Sequence, residues 1–441
     1  MIIFLPYYVA ALVLLFLELR GRRVVPRPVV PAWRAPVWIV LLVASYAAQL
    51  AIVWYAAVTV ASTQAWRAAL PIGVAEHGMA HPDAIEAALL LVAAVQVWAL
   101  AGLFRSRASS TETTIGFAAL IALSIAAPAI VSPDAYAYVG DALLGRNAYH
   151  PPSAMFAGEF AAIDRLFHPP LLPAPYGPLW IALDRVVTAP FPTLGEKIVA
   201  LRALGALCYL GLIAALRGCS VSQRAIAVAA VNPAIAQQYV ADAHNDLMGI
   251  ALVVAAAALM ASRRPIAGAG AVVVAALVKL PFVLLALPVF VRIRPKALRF
   301  ALCATAIFAA IALSWIGGGS DYLRGLTVHL PMSGAVFFAN AAVTVAALTL
   351  LGLSAAIGRR YASAVWIFPM MSAYVATWYL TYGLPYALER RRILAYLLVA
   401  LPLATMLVDA KFMRPWTFAV VLPLAVVLDV ALANRRIRYA K

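Results

Sequence analysis

Pro36-Val-Trp-Ile-Val-Leu-Leu-Val-Ala-Ser-Tyr-Ala-Ala-Gln-Leu-Ala-Ile-Val-Trp-Tyr-Ala-Ala-Val-Thr-Val-Ala61 carries no charged residue along its length. A hydrocarbon layer about 30 Å thick is crossed by about 20 helical residues, so this segment is long enough to span one. Its apolar residues run continuously instead of alternating, which excludes a transmembrane β-barrel. Comparable runs lie at 2–19, 85–104, 115–131, 196–216, 225–241, 247–262, 265–279, 281–291, 299–317, 338–357, 361–377, 379–389, 393–409 and 416–434. The whole chain is 65% hydrophobic and 12% charged, against about 45–50% and about 25% in soluble domains. That excludes a soluble enzyme, a disordered chain and a fibrous repeat. The expectation is an all-α polytopic integral membrane protein with about 11–14 transmembrane helices, residues 1–441 forming one transmembrane domain. Runs shorter than a full span predict broken helices, which membranes tolerate where protein or a water-filled cavity covers the freed backbone.

The connections between these runs carry short basic clusters: Arg20-Gly-Arg22-Arg23, Arg105-Ser-Arg107, Arg217, Arg263-Arg264, Arg390-Arg391-Arg392 and Arg435-Arg436-Ile-Arg438. Placed this way, the net charge of +17 reads as membrane orientation by the positive-inside rule, and not as a nucleic-acid surface. The first run has no basic residue before it and three just after it, the reverse of a cleaved signal peptide, so its N-terminus is expected outside. The proline-rich stretch 132–195 falls on the extracytoplasmic side, and most acidic residues fall on that side with it. Cys208, Cys219 and Cys303 show no disulfide or metal spacing, and the six histidines show no HExxH motif.

Three outer segments carry chemistry. In Ser132-Pro133-Asp134-Ala-Tyr136-Ala-Tyr138-Val-Gly140-Asp141, Ser132 is expected to cap a short helix that starts at Pro133. Asp134, Tyr138 and Asp141 then share one face, and Gly145 ends the helix before the loop Arg146-Asn147-Ala-Tyr149. A solvated amphipathic helix is the competing reading. In Tyr239-Val-Ala-Asp242-Ala-His244-Asn245-Asp246, Asp242 and Asp246 are expected on one face, with His244 and Asn245 able to bind a sugar or orient a carboxylate. A polar turn capping the next helix is the alternative, and one histidine with two acids is a weak metal signal. Pro175-Tyr176-Gly177-Pro178-Leu-Trp180 returns the chain to the membrane as a rigid turn. Lys279 lies inside an apolar stretch, where a charge is a functional hypothesis by default, although its stem could snorkel. Arg146, Arg165, Arg185, Arg202, Arg324, Lys411 and Arg414 also lie on the outer side, where some are expected to face a bound phosphate.

The order of Asp134-x-Tyr136-x-Tyr138, Gly145-x-Asn147-x-Tyr149, Tyr176-Gly177-Pro178, Asn232-Pro233, His244-Asn245-Asp246, Lys279 and Trp378-Tyr379 resembles the GT-C superfamily of polyprenyl-phosphate-sugar-dependent glycosyltransferases. Within that superfamily it resembles the bacterial α-1,6-mannosyltransferase and PimE-like branch. Ala148 stands where loops of that family often carry proline. The resemblance implies inverting transfer of a hexose, mannose in that branch, at the extracytoplasmic face of a bacterial plasma membrane. The donor is a polyprenyl-phosphate-sugar and the acceptor a glycan or glycolipid, with membrane lipids as surroundings and no nucleic acid. Asp134 is the expected general base. Lys279, with Arg146 or Arg414, would stabilise the leaving phosphate. Asp141, Asn147, His244, Asn245 and Asp246 would bind or orient hydroxyls, and Tyr138, Tyr149, Tyr176 and Trp378 would supply stacking surface. No cofactor is certain from the residues, and a divalent cation stays open although no ligand spacing indicates one. A transporter or flippase of lipid-linked sugars is the alternative, as is an accessory subunit without chemistry. The lack of two related halves speaks against the transporter.

Overall fold

Inside hydrocarbon a backbone must satisfy its own N–H and C=O groups, and the long apolar runs of this chain do so as α-helices. The computed structural model describes residues 33–61, 73–74, 82–153, 156–167, 172–285, 289–290 and 293–328, with isolated positions at 31, 381, 399, 401, 402 and 405. The expected helices at 2–19, 338–357, 361–377 and 416–434 lie outside them, as do nearly all of those at 379–389 and 393–409.

Helices α1 (Ala35–Ala61) and α2 (Pro82–Arg105) pack against each other. Gly102 makes room for the indole of Trp38, and Gln96 donates to Gln49 Oε1 at 2.8 Å inside the pair. Helix α3 (Ser110–Ile125) starts on a capping box between Ser109 and Glu112. It ends six residues before the expected 131, because Pro128 cannot continue it. The chain then extends, and β2 (Ala129–Ile130) pairs in parallel with β1 (Gly73–Val74). The stretch 132–195 holds α4 (Asp134–Leu144), 3₁₀ turns at Gly145–Tyr149 and Gly158–Phe160, α5 (Ala161–Phe167) and α6 (Pro178–Thr188). Helix α7 (Leu194–Gly218) opens on a second capping box, Thr193 with Glu196.

The expected crossing at 225–241 is not one helix. It divides into α8 (Gln223–Ala230), α9 (Pro233–Ala236) and a π-turn (Gln237–Ala241), followed by α10 (Asp246–Ala261). Pro233 and the π-turn interrupt the hydrogen-bond ladder, and the chain bends by 117° between 233–241 and α10. Helix α11 (Pro265–Val278) packs on α10, and α10 also packs on α7. The expected helix at 281–291 begins instead as a 3₁₀ turn, Leu280–Leu285. The run expected at 299–317 extends as α12 (Lys296–Val328), kinked at Gly319, whose φ of 62° suits glycine. Among the described residues, four helices are long and apolar enough to cross a membrane, or five if the bent pair counts as one span. This is an all-α polytopic membrane protein.

The break is held by Arg202, which is fully buried on α7. Its Nε donates to Ala241 O at 2.8 Å, and its Nη1 donates to Ile125 O at 3.2 Å and to Ala127 O. Nη2 reaches Ala129 O at 3.5 Å. A cation thus satisfies the carbonyl ends of α3 and of the π-turn together, where the helix dipole favours positive charge. Arg202 was among the outer basic residues expected to face phosphate; it is occupied by backbone instead. Arg202→Met leaves these buried carbonyls without donors and is expected to destabilise the protein by about 3 kcal/mol or more. The measurement is the thermal unfolding midpoint in detergent, and a wild-type midpoint would remove the clamp.

Candidate active site

Asp134 begins α4, with Pro133 rather than Ser132 in the cap position. The Ser132 hydroxyl instead accepts the Asp134 N–H at 3.3 Å, because Pro133 already takes helical φ and ψ and shifts the boundary by one residue. The loop Asp242–Asn245 faces it from the break before α10. That loop is tied down from both ends: Asp242 N–H donates to Gln237 O at 2.8 Å and His244 N–H to Gln238 O at 3.1 Å. Asp242 Oδ1 accepts Gln237 Nε2 at 3.0 Å and the Val131 N–H at 2.8 Å. The last bond joins the segment leading to Asp134 to the loop carrying His244. Between them Ala243 holds φ 57°, a left-handed conformation that costs a non-glycine residue about 1–3 kcal/mol. Asp242 and Asp246 do not share a helical face as expected, because the chain turns between them. Asp242 is a structural staple, whereas Asp246 opens α10.

Two charge pairs result. His244 Nδ1 lies 3.2 Å from Asp134 Oδ2, the imidazole buried and the carboxylate 31% exposed. Lys279 Nζ lies 2.7 Å from Asp246 Oδ1, with Asp246 buried. Lys279 follows the last turn of α11 in extended conformation, which points its stem away from the helix. The Gly177 N–H donates to Val278 O at 2.8 Å, and a Cβ on Gly177 would collide with the Leu277 carbonyl. This close approach puts the Tyr176 ring 5.8 Å from the Lys279 ammonium.

Aromatic rings line the remaining side. Tyr138 meets Tyr176 edge-on at 5.0 Å and Trp180 at 5.2 Å. The Tyr149 hydroxyl donates to Tyr176 O at 3.0 Å, and its ring lies 5.4 Å from Tyr322. The Tyr322 hydroxyl in turn accepts the Leu280 N–H at 3.2 Å.

The electrostatics separate the acids. Burial pushes the Asp134 carboxyl up, but the imidazole of His244, the charge of Lys279 and the Ser132 hydroxyl outweigh it and hold the group below the ordinary carboxylate range. Burial alone raises Asp141 well above that range. Asp184 on α6 is also raised, first by burial and then by the charge of Asp141. Burial likewise raises Tyr138 and Tyr176. Asp134 is therefore a partly exposed carboxylate that stays ionised, which is the state a general base needs.

The fold brings together Asp134, Tyr138, Tyr176, His244, Asn245, Asp246 and Lys279, with Tyr149 attached through the Tyr176 carbonyl. Asp141 is buried within electrostatic range of Tyr149, Tyr176 and Asp184. Arg146 and Asn147 are exposed on the 3₁₀ turn after α4, outside this buried group. Trp378 and Arg414 lie outside the described residues. Tyr322, Gln237 and Asp184 join the surroundings without having been singled out in the sequence. Tyr322 sits more than forty residues from its nearest partner in the chain, and only the unusual pair Gln237-Gln238 in an apolar run was a signal. Among the described residues, no group of three or more His, Cys, Asp or Glu could hold a metal ion.

Residues 40–294, more than half of the chain, match the family described as alpha-(1→6)-mannopyranosyltransferase, N-terminal domain. The matched span includes both charge pairs and the aromatic wall apart from Tyr322. No curated protein and no solved structure matches the chain.

Gly177→Ala is expected to destabilise the protein by about 1–3 kcal/mol, because backbone and not a movable side chain stands in the way. Thermal unfolding in detergent reads this, and an unchanged midpoint would show that the loop has room to shift. Asp134 also contributes to stability through its lowered pKa: the contribution is present at neutral pH and is lost as pH falls through that value. Asp134→Asn is therefore expected to flatten the acid limb of stability against pH relative to wild type.

Proposed function

The chain belongs to the alpha-(1→6)-mannopyranosyltransferase family, and from that premise we propose how it works and on which substrates. Membership makes it a membrane glycosyltransferase with a sugar donor and an acceptor, and decides against the transporter reading. The donor is a polyprenyl-phosphate-linked mannose and the acceptor a glycan or glycolipid. Transfer takes place with inversion on the extracytoplasmic side of a bacterial plasma membrane, and Asp134, in the loop region 132–195, is the general base.

The observation that carries this reading is the ionised, partly exposed Asp134 beside His244, 3.2 Å away, with Lys279 in electrostatic range. Asp134 removes the proton from the acceptor hydroxyl. The oxygen forms its bond to C1 of the donor as the bond from C1 to the phosphate oxygen breaks, and the electron pair leaves with the polyprenyl phosphate. One displacement inverts C1, so a β-linked donor gives an α product. Lys279 stabilises the charge that develops on the phosphate, at a position where water is largely excluded and the interaction is strong. Asp246 holds that ammonium in place before the donor arrives. The rings of Tyr138 and Tyr176 offer the sugar an apolar face, with Tyr149 buttressing Tyr176. Asp141, raised by burial, serves as a neutral hydrogen-bond donor, while Arg146 and Asn147, exposed on the turn after α4, meet the acceptor outside the buried group, with Trp378 and Arg414 as further substrate-binding residues. The orientation is supported by Arg105, Arg107, Arg217, Arg224, Arg263 and Arg264, which sit in or beside the connections at the other ends of the helices that converge on Asp134.

Purified protein in lipid nanodiscs, given polyprenyl-phosphate-mannose and a mannose-terminated acceptor, is expected to form an α-mannosyl product. Asp134→Asn is expected to lower kcat by about 10²–10⁴, and Lys279→Ala by about 10²–10³, each measured on protein shown to be folded, since Asp134→Asn gives up its pair with His244 and Lys279→Ala leaves the buried Asp246 without its cation. Wild-type turnover in Asp134→Asn would falsify the assignment of the base. The acid limb of kcat/KM should lie below the ordinary carboxylate range, because His244 and Lys279 hold Asp134 low. In His244→Gln it should move to higher pH, because burial then acts on Asp134 without the opposing imidazole.

A further inference from the structure

His244, Asn245 and Asp246 are consecutive, and the outer two are each committed to one half of the site: His244 to Asp134 at 3.2 Å and Asp246 to Lys279 at 2.7 Å. Asn245, with helical φ and ψ, lies in the chain between the partner of the base and the partner of the phosphate cation, which in the proposed displacement flank the reacting carbon.

Among the described residues, no polar group is hydrogen-bonded to its side chain. Asn245 occupies the N-cap position of α10, where asparagine ordinarily accepts a bond from the first turn, yet it makes no such bond. The residue is 2% exposed. Its Oδ1 and Nδ2 are both shut off from solvent, and neither has a hydrogen-bond partner among the described residues. Its backbone N–H lies 3.5 Å from the Tyr138 hydroxyl, which ties it to the aromatic wall. An amide with both a donor and an acceptor unused matches a group that also does both. Next to the reacting carbon a pyranose offers the ring oxygen, which only accepts, and the hydroxyl on C2, which donates and accepts.

We infer that Asn245 is the residue that reads the C2 hydroxyl of the donor sugar and so selects a manno over a gluco configuration. This rests on the reading of Asp134 as base and Lys279 as phosphate partner, and it adds the determinant of sugar identity. Mannose and glucose are epimers at C2, so a single amide placed there separates them. The hydroxyl points along one axis in the first sugar and away from it in the second. A buried amide left without its partner makes the wrong sugar costly, which is how sites built around a hydroxyl achieve strong rejection.

The test is a cycle with the protein in nanodiscs and three donors: polyprenyl-phosphate-mannose, its 2-deoxy analogue and polyprenyl-phosphate-glucose. For the wild type, removing or inverting the C2 hydroxyl is expected to lower kcat/KM by about 100-fold or more. Asn245→Ala should show a similar loss with the mannosyl donor but no further loss with the 2-deoxy donor, whereas independent effects would multiply to within about twofold. If the alanine variant does not fold, Asn245→Ser carries the same comparison. Equal losses on the mannosyl and 2-deoxy donors, or a wild type indifferent to the C2 epimer, overturn the inference and leave Asp134 and Lys279 untouched. A wild type inactive on all three donors overturns the parent reading, and this one with it.

Discussion

A helix that stops inside a membrane leaves carbonyls that no water can reach, and every feature of this site depends on how that problem is solved. Arg202 solves it for two chain ends at once, α3 and the π-turn. Because those ends are satisfied, the chain can turn through 117° before α10 instead of continuing as a helix. The turn exposes no backbone to lipid, and it leaves a polar loop of four residues inside the bundle. Asp242 reinforces the arrangement by holding the Val131 N–H, so the two segments that carry Asp134 and His244 are positioned by one set of bonds.

The loop then arranges charge. Asp134 is paired with His244 and Asp246 with Lys279, and each acid is treated differently by its surroundings. Asp134 keeps its charge because an imidazole and an ammonium offset its burial. Asp141 and Asp184 have no comparable compensation and are driven toward the neutral form. Environments that push neighbouring acids apart in pKa assign them different chemical roles. A burial penalty common to all of these groups is overturned only where the fold brings a cation close.

Much of this architecture was legible in the residues. The apolar runs at 36–61, 85–104 and 196–216 became α1, α2 and α7 within a few residues, because a membrane leaves a long apolar segment few alternatives. The group formed by Asp134, Tyr138, Tyr176, His244, Asn245, Asp246 and Lys279 could also be assembled from motifs, since each interrupts or borders an apolar run and polar groups there are expensive. Helix ends and breaks were harder to read. Pro128 shortened α3, Pro233 and the π-turn divided 225–241, and Ser132 ceded the cap to Pro133, each a local backbone choice that apolar composition does not register.

Composition and charge order thus determined by themselves that the chain is helical, lies in a membrane and keeps its acids away from its basic connections. They could do so because hydrocarbon penalises charge and unpaired backbone wherever these occur along the chain. The tertiary structure alone decided that Arg202 binds carbonyls and not phosphate, and that Asp242 is a staple while Asp246 holds Lys279. It alone left the Asn245 amide, between the two paired side chains His244 and Asp246, without a hydrogen-bond partner among the described residues. Those assignments depend on which of several equally polar side chains a bend brings within 3 Å, and pairing across segments far apart in the chain leaves no periodic trace in sequence.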